Sequence, residues 1–237
     1  MPKRQAKGFS RCGSGESMQF DCYVGVDYSG AARPKSGLQG LQVYCADTEG
    51  PVRKVPASSK DDSRNRPWSR EGIANWLLEL AASQRRFLAG IDHCFSLPFS
   101  YFRRYGLGSW DEFLKDFVTH WPTHRPEVSL EHLLRSEPQR QGHPEEMRIT
   151  DLWTQGAKSP FHFRGIGAVG KASFAGIPWL HVIREQAGHR VFFWPFDSFQ
   201  LPGERSVIVE AYPALYKRRY PGQNMTSHEH DAYSIAA

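Results

Sequence analysis

The sequence predicts an α/β fold built on one mixed sheet, from three observations. Short apolar runs come three in a row near the start and then alternate with helical patterns. One of them, Phe87–Ile91 (FLAGI), is wholly apolar and reads as a strand buried on both faces, hence central and parallel to a neighbour. Hydrophobic residues make up 40% and aromatics 13% of 237 residues, enough for a sizeable core.

Each element has a local signature. Tyr23–Asp27 is short and β-branched, and Ser29-Gly30 ends it. Leu38–Ala46 alternates and reads as a second strand, antiparallel to the first; Val52–Val55 is a third. Ser69 is placed to cap a helix, with Glu71 in the first turn, where the dipole favours negative charge. Ile73, Trp76, Leu77 and Leu80 give that helix one apolar face. Helices are expected over Trp110–Trp121, Leu130–Arg135 and Ile177–Glu185, within an interrupted helical region spanning about 96–188. Strands follow at Arg190–Pro195 and Ser206–Glu210, and Pro213 can open a helical turn through Tyr216. Thr226 and Glu229 form a capping box for a last, short helix, which needs good packing to hold. Residues 1–18 read as a disordered basic tail and 19–237 as a single domain.

Several classes are excluded. The 21 glycines and 16 prolines show no period, which removes collagen-like and repeat architectures. No run approaches the ~20 apolar residues of a membrane span. Met1–Lys7 is basic but no apolar stretch follows, so the expected compartment is the cytoplasm, without a membrane partner. Cys12, Cys22, Cys45 and Cys94 contain no C-x-x-C pair and read as reduced thiols, mostly buried. The net charge of +5 is compatible with a polyanion such as nucleic acid, DNA or RNA, and equally with simple solubility.

Four acids carry the functional signal. Asp27, Asp92 and Glu210 end strands, and Asp231 lies in the first turns of the last helix. In an open sheet, the carboxyl ends of parallel strands line one crevice. Carboxylates gathered there repel unless a cation neutralises them, and hard oxygen ligands suit Mg²⁺ or Mn²⁺. Such ions can clamp a phosphodiester and activate water. Alone, each acid is as readily a turn former or a cap; small Ser29-Gly30 after Asp27 would let a ligand approach the backbone.

The segments GVDYSG, GIDHCFSLP, VEAYPALY and HDAYSIA, in this order, resemble the "domain of unknown function 429" family of predicted nucleases with the RNase H-like fold. The resemblance covers roughly residues 20–237. It implies a mixed sheet of about five strands in the order 3-2-1-4-5, with helices on its faces. By motif match it implies Asp27, Asp92 and Asp231 as metal ligands, with Glu210 as a fourth candidate. The region 96–188 is then a large helical insertion on that core.

Weaker signals surround these. Gly165–Gly170 matches G-x-G-x-x-G, but no buried strand precedes it, and it reads as a loop near the site rather than a dinucleotide fingerprint. Arg148 and Lys158 are candidates for substrate phosphate, against an Arg148–Asp151 ion pair. The larger basic footprint is Arg53, Lys54, Lys60, Arg64, Arg66 and Arg70. Lys217-Arg218-Arg219 reads first as the cationic end of a helix and second as a nucleic-acid contact between Tyr216 and Tyr220. His228 is three residues before Asp231 and could share its metal or shuttle a proton; His93 should point away from Asp92. No G-x-S-x-G is present, so serine-hydrolase chemistry is unsupported.

The expected function is a metal-dependent nuclease or phosphodiesterase, a hydrolase. Asp27 would bridge the ions, Asp92 and Asp231 would hold them, and Glu210 would bind metal or orient water. Two other classes fit the same sequence: a non-catalytic nucleic-acid or nucleotide-binding protein, and an ATP-dependent phosphotransferase. Convergence of the four carboxylates is the observation that separates them.

Overall fold

A computed structural model describes residues 20–57, 66–136, 140–165 and 168–237. The expected tail at 1–18, Cys12, Lys60, Arg64 and Gly167 lie outside the described residues. The strands are β1 (Cys22–Asp27), β2 (Gln42–Asp47), β3 (Arg53–Lys54), β4 (Phe87–Asp92), β5 (Val191–Trp194) and β6 (Ser206–Glu210). The helices are α1 (Arg70–Ala82), α2 (Phe99–Tyr105), α3 (Trp110–His120), α4 (Leu130–Arg135), α5 (Ile149–Trp153), α6 (Gly170–Ala187) and α7 (Ser227–Ala236). Among the described residues no helix is long and apolar enough to cross a membrane.

The sheet is mixed and six-stranded, in the order β3-β2-β1-β4-β6-β5. As expected, β1 is antiparallel to β2 and parallel to β4. The β4–β6 and β5–β6 pairs are also parallel. All six strands read from the sequence form, where the resemblance implied about five, and β6 lies between β4 and β5. The chain thus runs to the sheet edge at β5 and returns inward to β6.

Side-chain alternation assigns the two faces different tasks. Val24, Val26, Ala89 and Ile91 enter one core with Ile73 and Leu77 of α1, Ile177 and Leu180 of α6, and Phe113 and Phe117 of α3. The helical region 96–188 therefore supplies part of the principal core. The opposite face carries Gly25 and Gly90 under α7, with Tyr44, Ala232 and Ala236 packed together.

Ser69 caps α1 as expected, its hydroxyl accepting from Gly72 N at 3.0 Å; such a cap contributes ~1 kcal/mol. Pro178 lies inside an 18-residue α6, which contains the helix expected over Ile177–Glu185 and starts earlier, at Gly170. Proline leaves the carbonyl four residues back without its amide donor. Here that carbonyl is Phe174 O, and Thr123 Oγ1 donates to it at 2.8 Å. Gly176, in the same helix, lets α6 ride over His93: a Cβ there would stand 2.5 Å from His93 Nε2.

Among the described residues of the expected basic footprint, Arg53, Lys54 and Arg70 have partners within the fold. Arg53 pairs with Asp47 at 2.6 Å and Lys54 with Glu229 at 2.7 Å. Arg70 is buried and donates to the carbonyls of Ser29, Ala31 and Ala32 at 3.2, 2.6 and 3.0 Å. It clamps the loop after β1, where Ala32 has φ 51°. Arg66 is exposed.

Candidate metal centre

Asp27 and Asp92 are the last residues of β1 and β4, and they are register partners in the parallel pair. Register partners point to the same face, so both carboxyls emerge on the side covered by α7. Two residues earlier, Gly25 and Gly90 are partners on that same face. A Cβ on Gly25 would lie 2.0 Å from Ala232 O, so the absence of a side chain is what lets α7 settle against the sheet. Seated there, α7 delivers Asp231. One oxygen from each of Asp27, Asp92 and Asp231 lies within 4.8 Å of the other two, a group that could hold a metal ion.

The last helix is fixed at its start by the expected capping box of Thr226 and Glu229. Glu229 also pairs with Lys54, which ties α7 to β3 and, with the cap, holds that carboxyl down at about 2.

The electrostatics are those of buried carboxyls, crowded by one another. Asp27 is 5% exposed, and burial, then Asp231, push its carboxyl up to about 8. Asp92 is pushed up to about 8 by burial, then by Asp27, Asp231 and Glu210. Lys217 opposes both shifts. Its Nζ donates to Asp231 Oδ1 at 2.7 Å from the short helical turn Lys217–Arg219. His228 Nδ1 lies 2.6 Å from Asp27 Oδ2, and the His228 side chain is 53% exposed. His228 therefore reaches Asp27 rather than sharing Asp231 as a neighbour on its own helix.

Glu210 does not join the three. In register it pairs with Ile91, one residue short of Asp92, so its side chain points to the opposite face. There it takes the Arg148 fork, Nη1 to Oε2 and Nη2 to Oε1, each at 2.7 Å, and accepts from Phe95 N at 2.9 Å. Arg148 also grips Asp151 through Nε at 2.9 Å and Nη2 at 2.7 Å. The expected ion pair with Asp151 is present and extends to Glu210, so Arg148 is committed to two carboxylates. Lys158 is exposed on the loop after α5.

The remaining expectations resolve as packing. His93 faces away from Asp92, rests edge-on against Tyr28 with centroids 4.5 Å apart, and burial lowers it to about 4. Cys22, Cys45 and Cys94 are buried thiols. Gly30 does not open space for a ligand; a Cβ there would stand 1.8 Å from Lys171 O, so it permits α6 to approach. Gly170 opens α6 with no strand before it, and a Cβ there would meet Pro160 O at 2.8 Å.

Lys217 is the site residue that the sequence reading missed. Its cationic run looks like a helix end, and only the fold brings it to Asp231. Comparison with protein-family models, with curated proteins and with solved structures found no match.

Proposed function

We propose that this protein is a metal-dependent nuclease that hydrolyses phosphodiester bonds at the Asp27–Asp92–Asp231 centre. One observation carries the reading: three carboxylates from β1, β4 and α7 converge within 4.8 Å. The donor set is all hard oxygen, which fits Mg²⁺ or Mn²⁺. The raised carboxyls of Asp27 and Asp92, pushed up by burial and then by the charge of neighbouring carboxylates, speak for the same fit, since a local divalent cation would favour their ionised forms. When bound, such a cation supplies charge stabilisation for the phosphoryl group and a more acidic water.

The chain's own groups do the rest. Asp27, Asp92 and Asp231 hold the cation. His228 fixes the orientation of the Asp27 carboxyl through Nδ1. Lys217, anchored on Asp231, places an ammonium beside the centre, where substrate charge would sit. Arg148 and Glu210 tie α5 to the end of β6 and shape the wall.

The RNase H-like reading belongs to the same proposal. The order β3-β2-β1-β4 agrees with it, β6 takes the fifth position beside β4, and β5 is an added edge strand. The resemblance to the family of predicted nucleases points the same way.

The test is cleavage of a labelled oligonucleotide with Mg²⁺, with Mn²⁺ and with chelator, for wild type and Asp92→Asn. Metal-dependent cleavage that Asp92→Asn abolishes is the expected result. Cleavage that survives chelation or the substitution would refute the proposal.

A further inference from the structure

The parallel strands β1, β4, β6 and β5 all end at one edge of the sheet. Asp27 and Asp92 close β1 and β4 there. Trp194 closes β5, two strands from β4, and through Val209 it is level with Gly90, two residues before Asp92. The segment after it presents Phe199, 82% exposed, whose ring meets Trp194 edge to face with centroids 6.3 Å apart. Trp194 Nε1 donates to Phe199 O at 3.3 Å, which ties that segment to the strand end.

Helix α5 stands over the same edge, fastened by Arg148 to Glu210. Its Asp151 is buried against Arg148, while Ile149, Leu152 and Trp153 are exposed, Trp153 at 84%. Grouped large apolar side chains in water mark a surface that binds something. Exposed cations lie on the neighbouring segments. Lys158 follows α5, and Arg218 and Arg219 are exposed on the turn that brings Lys217 to Asp231.

We infer that this rim binds single-stranded nucleic acid. Bases stack on Trp153 and Phe199, and Lys158, Arg218 and Arg219 lead the phosphates towards the carboxylates. The inference rests on the nuclease reading and narrows its substrate to unpaired strands. A duplex keeps its base faces inside the stack, so exposed aromatic rings gain only from bases that are already unstacked. The centre of a protein–protein interface is depleted of charge, whereas α5 is preceded by Arg148 and followed by Lys158, and it is fastened to the end of β6, the strand beside the one that ends in Asp92.

Fluorescence anisotropy with a labelled oligothymidylate and a duplex of equal length, in chelator and low salt, tests the rim without turnover. The single strand should bind at least tenfold more tightly than the duplex. Trp153→Ala and Phe199→Ala should each weaken single-strand binding roughly five- to hundredfold. Trp153→Phe should restore most of the loss. Both side chains are exposed, so circular dichroism melts of the variants should match wild type.

Equal affinity for single strand and duplex, or unchanged single-strand affinity in both alanine variants, would overturn the inference. So would loss of self-association in those variants at unchanged oligonucleotide affinity, which would mark a protein contact instead. The metal centre is judged separately, by metal-induced stabilisation of wild type. A rim that fails while that stabilisation persists sinks the single-strand inference alone.

Discussion

Gly25 and Gly90 stand beside each other across β1 and β4, and both lie directly under α7. They are the seat on which the third ligand depends. A methyl group on Gly25 would meet backbone, Ala232 O at 2.0 Å and Ala236 N at 2.7 Å. On Gly90 it would meet the Ile235 side chain, Cγ2 at 2.4 Å. Side chains yield more readily than a helix backbone. Gly25→Ala is expected to destabilise by at least the ~1–3 kcal/mol of ordinary overpacking, and Gly90→Ala by less. Denaturant melts rank the two. Gly25→Ala should also blunt metal-induced stabilisation, because Asp231 moves with α7. Equal costs, with metal response intact in Gly25→Ala, would show that α7 can shift without disturbing Asp231.

Which parts of this site were legible in sequence follows from how local each signal is. The strand ending at Asp27, the buried strand ending at Asp92 and the Thr226–Glu229 cap are written in short runs and fixed spacings, and all three formed. That β4 is central and parallel to a neighbour followed from the apolar character of Phe87–Ile91, and its place beside β1 from the strand order that the resemblance implies. Face parity did not. Asp92 and Glu210 both end strands, yet the register sets Glu210 one residue out of step, and alternation sends it to the other face. Register is a tertiary quantity with no trace in SVIVE alone. The same holds for Lys217, whose partner is on α7, and for Pro178, whose tolerance depends on a hydroxyl at Thr123.

The parity difference makes Glu210 and Asp92 separable by experiment. Asp92→Asn should lose most of the thermal stabilisation given by Mn²⁺, and Glu210→Gln should keep most of it. A Glu210→Gln protein that no longer responds to metal would put that carboxylate in the centre after all.

Arg148 is a structural clamp whose removal leaves two acids without a cation. Its side chain is 15% exposed, that of Asp151 7% and that of Glu210 28%. Breaking a buried ion pair by deleting one partner costs about 3–5 kcal/mol. Arg148→Ala is expected near that range in chemical denaturation. Arg148→Lys should recover only part of it, since an ammonium cannot offer the planar fork. Full recovery by lysine would mean that charge alone, without bidentate geometry, holds α5.

At pH above about 8, where Asp27 is ionised, Asp27→Asn removes one anion from the crowded centre with almost no change in shape. Without metal, the variant is expected to melt at or above wild type, because the repulsion among Asp27, Asp92 and Asp231 eases. With Mg²⁺ or Mn²⁺ its gain should shrink, since a ligand that binds only the folded state stabilises it in proportion to occupancy. A clear drop in metal-free stability would instead assign Asp27 to a structural role through His228, which it contacts at 2.6 Å.

The raised carboxyls also set a pH dependence with a definite sign. Asp27 and Asp92 each sit at about 8 in the folded protein against an ordinary 3.8. Between those values the folded state holds more protons than the unfolded chain. Stability from these groups is therefore fully present below 3.8 and is lost as pH rises through about 8. Buried His93 works in the other direction at lower pH: lowered from 6.5 to about 4, it adds stability as pH climbs towards 6.5. His124 and His181, also lowered first by burial, act in the same sense. The window free of that opposition runs from 6.5 to about 8. Across it, metal-free wild type should lose melting temperature more steeply than the Asp27→Asn, Asp92→Asn double variant. The stabilisation given by Mn²⁺ to wild type should grow over the same window, because a cation binding there must displace fewer protons as pH rises. Melts of both proteins at the two ends of the window, with and without Mn²⁺, measure both effects. Parallel slopes in the two proteins would mean that these carboxyls are already ionised at neutral pH in the folded protein without a metal.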